Sequence, residues 1–149
     1  ESQINFVIQY QCHIKKENEM EKCQFQKIYP IFSKELSKKE TTFDTLDNLC
    51  QYFYNKIENH PFAKYIATFD HYSHTAAFEG GIIEKDITAA KIISFCLGKK
   101  LLNPKILSAR PRAIGLCETS THYVISFLEA PNPSLTETMV KWVENIDVQ

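Results

Sequence analysis

Residues 109–129 read ARPRAIGLCETSTHYVISFLE. Two runs within it, Ala109 to Glu118 and His122 to Glu129, alternate bulky apolar side chains with small or polar ones. Too few residues separate them for any connection except an antiparallel hairpin. With Ser120 and Thr121 at the turn centre, Ile114 stands opposite Phe127, Leu116 opposite Ile125 and Arg112 opposite Glu129. One face of the ladder is then apolar and ends in an ion pair. The other carries Ala113, Gly115, Cys117, Val124, Ser126 and Leu128, a mostly small set with room for a close helix, a second subunit or a ligand.

The flanks extend this hairpin into a domain. Downstream, Asn132-Pro133-Ser134 breaks the strand, Ser134 with Glu137 predicts a capping box, and Met139, Trp142, Val143 and Ile146 form a helical stripe. Upstream, a helix is predicted from Glu84 to Asp86 onward, with Ile92, Ile93, Cys96 and Leu97 facing inward and Gly98 as its left-handed stop. Lys64 to Ser73 reads as a strand. Thr41 or Thr42 is the expected cap of a helix bearing Leu46, Leu49, Cys50, Phe53 and Ile57 and ended by His60-Pro61. Tyr52, Phe53 and Tyr54 are consecutive on that helix and cannot share one face, so one ring is left exposed or covered by another element. At the start of the chain, Ile4 to Ile14 alternates with the period of a half-buried strand, and Cys23 to Phe32 is its expected hairpin partner, with Pro30 confining it to an edge or an end. The order is ββαβαββα, which predicts a single α+β domain over residues 1–149, a mainly antiparallel sheet packed with three helices.

Composition narrows the function classes. A chain of 149 residues, 44% hydrophobic and 23% charged, suits one folded domain. A pI near 6.6, with no run of five or six adjacent Lys or Arg, argues against nucleic acid as a partner. No apolar run approaches the roughly 18 to 20 residues that span a bilayer, and no basic start leads into a hydrophobic signal segment, so no membrane partner is expected. Five scattered cysteines without a CxxC pair predict reduced thiols of a cytoplasmic protein and no metal site.

Charge is segregated in one place. Residues 87–117 hold six of the 17 basic side chains and none of the 18 acidic ones. Lys99 and Lys100 fit as cations just past the predicted helix C-terminus. Arg110 and Arg112 flank Pro111 at i and i+2 of a strand, so both guanidinium forks point the same way and suit one carboxylate or phosphate. Glu129 is their intramolecular competitor.

Two further clusters bear on chemistry. Phe69-Asp70-His71-Tyr72-Ser73-His74 is dense in hydrogen-bonding groups, but on an extended strand His71 and His74 face opposite sides and cannot ligate one ion together. His74, with Asp70 and Tyr72 on its side, is the acid–base candidate. Cys117 becomes a nucleophile only if a nearby base or cation depresses its pKa. The hairpin register instead pairs it with Val124, as a small buried thiol on a helix-facing surface. Glu79-Gly80-Gly81 has the spacing of neither a P-loop nor a dinucleotide fingerprint and reads as a turn or hinge.

The function expected is a homodimeric binding module for a small anionic ligand held by Arg110, Arg112, His74 and Tyr72. The alternative is a small enzyme or metal-binding protein built on His71, His74 and Tyr72, with Cys117 as a further catalytic candidate. The identity of any cofactor is left open. Residues 109–118, HYVISFLEAPNP at 122–133, ETMVKWV at 137–143 and FDHYSHT at 69–75 together resemble a family of small uncharacterised bacterial proteins. The resemblance covers about the C-terminal half and carries no assigned activity, so it implies no catalytic residue.

Overall fold

A computed structural model describes residues 11–12, 19–26 and 28–147. The strands are β1 (Gln11–Cys12), β2 (Glu21–Phe25), β3 (Tyr29–Ser37), β4 (Ala63–Asp70), β5 (Ile87–Leu97), β6 (Arg112–Thr119) and β7 (His122–Leu128). The helices are α1 (Leu46–Glu58), α2 (His71–Ala76) and α3 (Pro133–Glu144), with short 3-10 turns at Ile106–Ala109 and Asn145–Asp147. All seven strands form one sheet in the order β1-β2-β3-β7-β6-β5-β4, each neighbouring pair antiparallel. The α+β class and a mainly antiparallel sheet with three helices stand as expected, and the order ββαβαββα is present with a third strand in its first and last strand groups, the middle helix lying at His71–Ala76 instead of after Glu84.

The β6–β7 register pairs Leu116 with Ile125 and Cys117 with Val124, as the alternation predicts. Ile114, Leu116, Tyr123, Ile125 and Phe127 point to one face and are buried there with α1 and α3. Leu49, Phe53 and Ile57 recur at helical spacing on α1 and are fully buried. The Tyr52 hydroxyl donates to the Trp142 carbonyl, which ties α1 to α3, and the Trp142 ring lies tilted against Phe95 with centres 5.6 Å apart. Tyr54, the exposed ring of the aromatic triplet, rests edge-on against Tyr65 at 4.9 Å.

Several expectations are corrected. Residues 87–97 form a strand and not a helix. Ile92, Ile93, Cys96 and Leu97 fit both periods, but Ile93, Phe95 and Leu97 enter the core at period 2, and β5 pairs with β4 on one side and β6 on the other. A helix there would strip both neighbours of their ladder partners. The cap of α1 is Thr45, whose side chain accepts from the Asn48 N–H at 3.1 Å. Thr41 instead closes a turn by accepting from the Phe43 N–H. At α3 the cap is Asn132 with Pro133 in the first turn, while Glu137 pairs with Lys141 at 2.9 Å instead of closing a capping box. The segment expected as one strand from Cys23 to Phe32 folds back on itself as the β2–β3 hairpin, with Gln26 at φ 51 in its turn. Of the strand expected over Ile4 to Ile14, only Gln11–Cys12 falls within the described residues, where it pairs antiparallel with β2.

Candidate functional site

One end of the sheet gathers the start of β4, the end of β5, the start of β6 and the end of β7. The chain leaves β5 at Gly98, whose φ of +107 suits only glycine and whose N–H donates to the Phe62 carbonyl at 2.8 Å. It returns through the 3-10 turn to Arg110 and a cis Arg110–Pro111 bond. Between this excursion and the N-terminus of α3 lies an open cleft of about 380 Å³. Lys99, Lys100 and Arg110 supply its charge, Asn132 and Ser134 its helix-end polarity, and Phe62, Leu102, Ile106 and Leu135 its apolar wall. No carboxylate lines it. Lys99 holds its ammonium 4.6 Å from the centre of the Phe62 ring. The positive dipole end of the 12-residue α3 adds to the same sign of field, with Asn132 already accepting from the Ser134, Leu135 and Thr136 N–H groups.

The cleft adjoins a recess of about 40 Å³ bordered by both arginines. They reach it by a route other than the expected i, i+2 strand pair. Arg110 caps the 3-10 turn, lies against Gly98 and donates to the Leu97 carbonyl. Arg112 opens β6 on the core face, is 7% exposed, and donates through one terminal nitrogen to the Leu128 carbonyl. Its Nε is buried without a hydrogen-bond partner. Burial, and after it the positive charge of Arg110, push the Arg112 pKa down from its ordinary value. The expected Arg112–Glu129 ion pair does not form. Glu129 is taken by Lys22 at 2.9 Å.

The histidine cluster is rearranged more thoroughly. β4 ends at Asp70, whose side chain accepts from the Ser73 N–H and hydroxyl, each at 2.9 Å, and so starts α2. Those bonds hold the Asp70 carboxyl below the usual carboxylate range. His71 and His74 therefore sit one helical turn apart and not on opposite sheet faces, with ring centres 5.6 Å apart. Both are exposed, Phe69 contacts both, and Phe78 packs on His74 at 4.8 Å. Tyr72 is half-buried. Among the described residues no group of three or more His, Cys, Asp or Glu side chains is placed to hold a metal. His71, Tyr72 and His74 do not line the cleft of Arg110, so the anion and histidine candidates belong to different places.

Cys117 lies on the sheet face away from α1 and α3, which corrects its expected helix-facing position. Burial pushes its thiol pKa up, which is the wrong direction for a nucleophile. Lys99 and Lys100 follow a strand and line the cleft, so helix termination does not account for them. Sequence reasoning missed Phe62, Leu102, Asn132 and Ser134. Asn132 and Ser134 carried a usable signal, as residues able to cap the helix whose N-terminus faces the cleft.

A family model described as a family of unknown function (DUF6858) matches residues 20–148. The chain belongs to that family. The match takes in the whole cleft of this DUF6858 member, from Phe62 to Leu135, and reaches well beyond the C-terminal half that the resemblance covered. No curated protein and no solved structure matches the chain. Among the described residues no helix is long and apolar enough to cross a membrane.

Proposed function

We propose that this protein is a binding module for a small anion, held in the cleft between residues 98–110 and the N-terminus of α3. The observation that carries the reading is Arg112, nine-tenths buried at the recess beside the cleft with an unpartnered Nε. A buried donor without an acceptor is uncommon enough to call for one. The carboxylate-free lining, the lysines and the helix N-terminus all favour the same sign of ligand. Arg110 is the principal binding residue, and the free thiols Cys50, Cys96 and Cys117 suit a reducing, cytoplasmic setting.

Thermal shift with inorganic phosphate, nucleotides and carboxylates tests it. A ligand at a hundredfold over its Kd adds about 2.7 kcal/mol, or a rise in Tm of roughly 5–10 °C for a chain of this length. Arg110→Ala should lose that response. Ser134→Glu, which puts a tethered carboxylate at the favourable end of α3, should keep the Tm and lose the response as well. No stabilisation by any anion, or equal stabilisation of both variants, sinks the reading.

The second part of the proposal is a homodimer through the sheet face opposite the helices. Central strands β5, β6 and β7 present Ala90, Ile92, Ser94, Cys96, Ala113, Gly115, Cys117, Val124, Ser126 and Leu128 there, without one charge. An antiparallel sheet face meant for water is polar. Strands β2 to β7, about 4.8 Å apart and about 20 Å long, give roughly 600 Å² per copy and about 1,200 Å² per pair, enough for a specific interface, an area in which Glu21, Glu35 and Lys64 surround the uncharged centre. The uncharged, small-residue centre fits a second copy better than a charged partner. Light scattering tests it, and a monomeric mass at every concentration removes it.

A further inference from the structure

We infer that the loop over residues 99–107 is a docking surface for an anionic lipid bilayer, with a lipid headgroup phosphate as the anion of the neighbouring cleft. The inference rests on the cleft being an anion site. Its own support is the loop, KKLLNPKIL. Leu101 is 69% exposed, Leu102 83% and Leu107 62%. With Pro104 they surround a hollow of about 280 Å³ that shares Leu102 and Asn103 with the cleft. Lys99, Lys100 and Lys105 stand exposed among them. Leucines so placed gain nothing from water, whereas the boundary between headgroups and acyl chains accepts them and places the lysines at the level of the phosphates.

Charge decides the kind of surface. The lysines and Arg110 lie in a stretch without a single Asp or Glu from residue 87 to 117, so nothing nearby in sequence opposes their attraction to an acidic leaflet. A cleft that opens beside the leucines lets one headgroup reach Arg110 while the loop rests in the interface. No spanning segment is involved.

Co-sedimentation of the full chain with vesicles tests this, using phosphatidylcholine alone and phosphatidylcholine mixed with phosphatidylserine, at low and high salt. The expected result is binding to the mixed vesicles that weakens with salt and is at least about tenfold weaker on phosphatidylcholine alone. Leu101→Ser with Leu102→Ser should reduce binding by about tenfold or more with the Tm unchanged, because both side chains are already exposed. No binding to either vesicle, or undiminished binding of the leucine variant, overturns the inference. If phosphate stabilises the protein while vesicles do not bind, the anion site stands and the bilayer docking falls. If vesicles bind through the leucines while phosphate is inert and Arg110→Ala binds as well as the parent, the loop docks and the cleft reading falls.

Discussion

Arg110 and Arg112 differ in what their surroundings allow. Arg110 keeps a carbonyl partner and a face toward the cleft, whereas Arg112 is packed into the end of the core with one donor satisfied and another orphaned. The cysteines divide by environment in the same way. Cys96 is exposed at the outer face of β5, while burial raises the pKa of the half-buried Cys117. A raised pKa keeps the thiol neutral to higher pH, and only the thiolate attacks an alkylating agent. At pH near 8, below the ordinary thiol pKa of about 8.5, and in protein dilute enough to be monomeric, iodoacetamide should therefore modify Cys96 well before Cys117, as read by mass spectrometry of peptides. Faster labelling of Cys117 would restore it as a nucleophile candidate. Which arginine is orphaned and which thiol is masked were illegible in the sequence, because both follow from what packs against them and not from their own identities.

At the scale of the element, local signals and neighbours compete. Asp70 ends β4 by offering its carboxylate to the Ser73 N–H, so the run FDHYSHT becomes half strand and half helix, and its two histidines come together. An Asx residue that competes with the ladder for backbone donors is the physical reason. Residues 87–97 show the opposite outcome, since Ile92, Ile93, Cys96 and Leu97 satisfy a helical stripe but the sheet on both sides recruits them. For α1 the cap decides the first turn. Thr45→Ala removes the acceptor for the Asn48 N–H and should cost about 1 kcal/mol, or about 2–4 °C in Tm by calorimetry. Thr42→Ala should cost close to nothing, and the reverse order would return the cap to its sequence-predicted place.

Across the whole molecule, α1 and α3 cover one face of the sheet, and α2 packs against β5 and against Phe69 of β4. The uncharged centre of the opposite face is the basis of the proposed dimer. Ala113→Glu places a carboxylate there on an exposed position, so it should convert the dimer to a monomer in light scattering with the circular dichroism unchanged. A mass that does not move would assign the interface elsewhere. Local pattern is enough for the α+β class, the β6–β7 register and the apolar stripes of α1 and α3, because alternation and helical periodicity are local and a one-residue slip would turn every side chain to the wrong face. It also isolated the acid-free stretch over residues 87–117. That this stretch is a strand, a leucine-bearing loop and a second strand, that Glu129 serves Lys22, and that Arg110 faces the N-terminus of α3 come from the assembled fold. Those outcomes depend on residues far apart in the chain, whose meeting is set by strand order and core packing and leaves no local pattern to read.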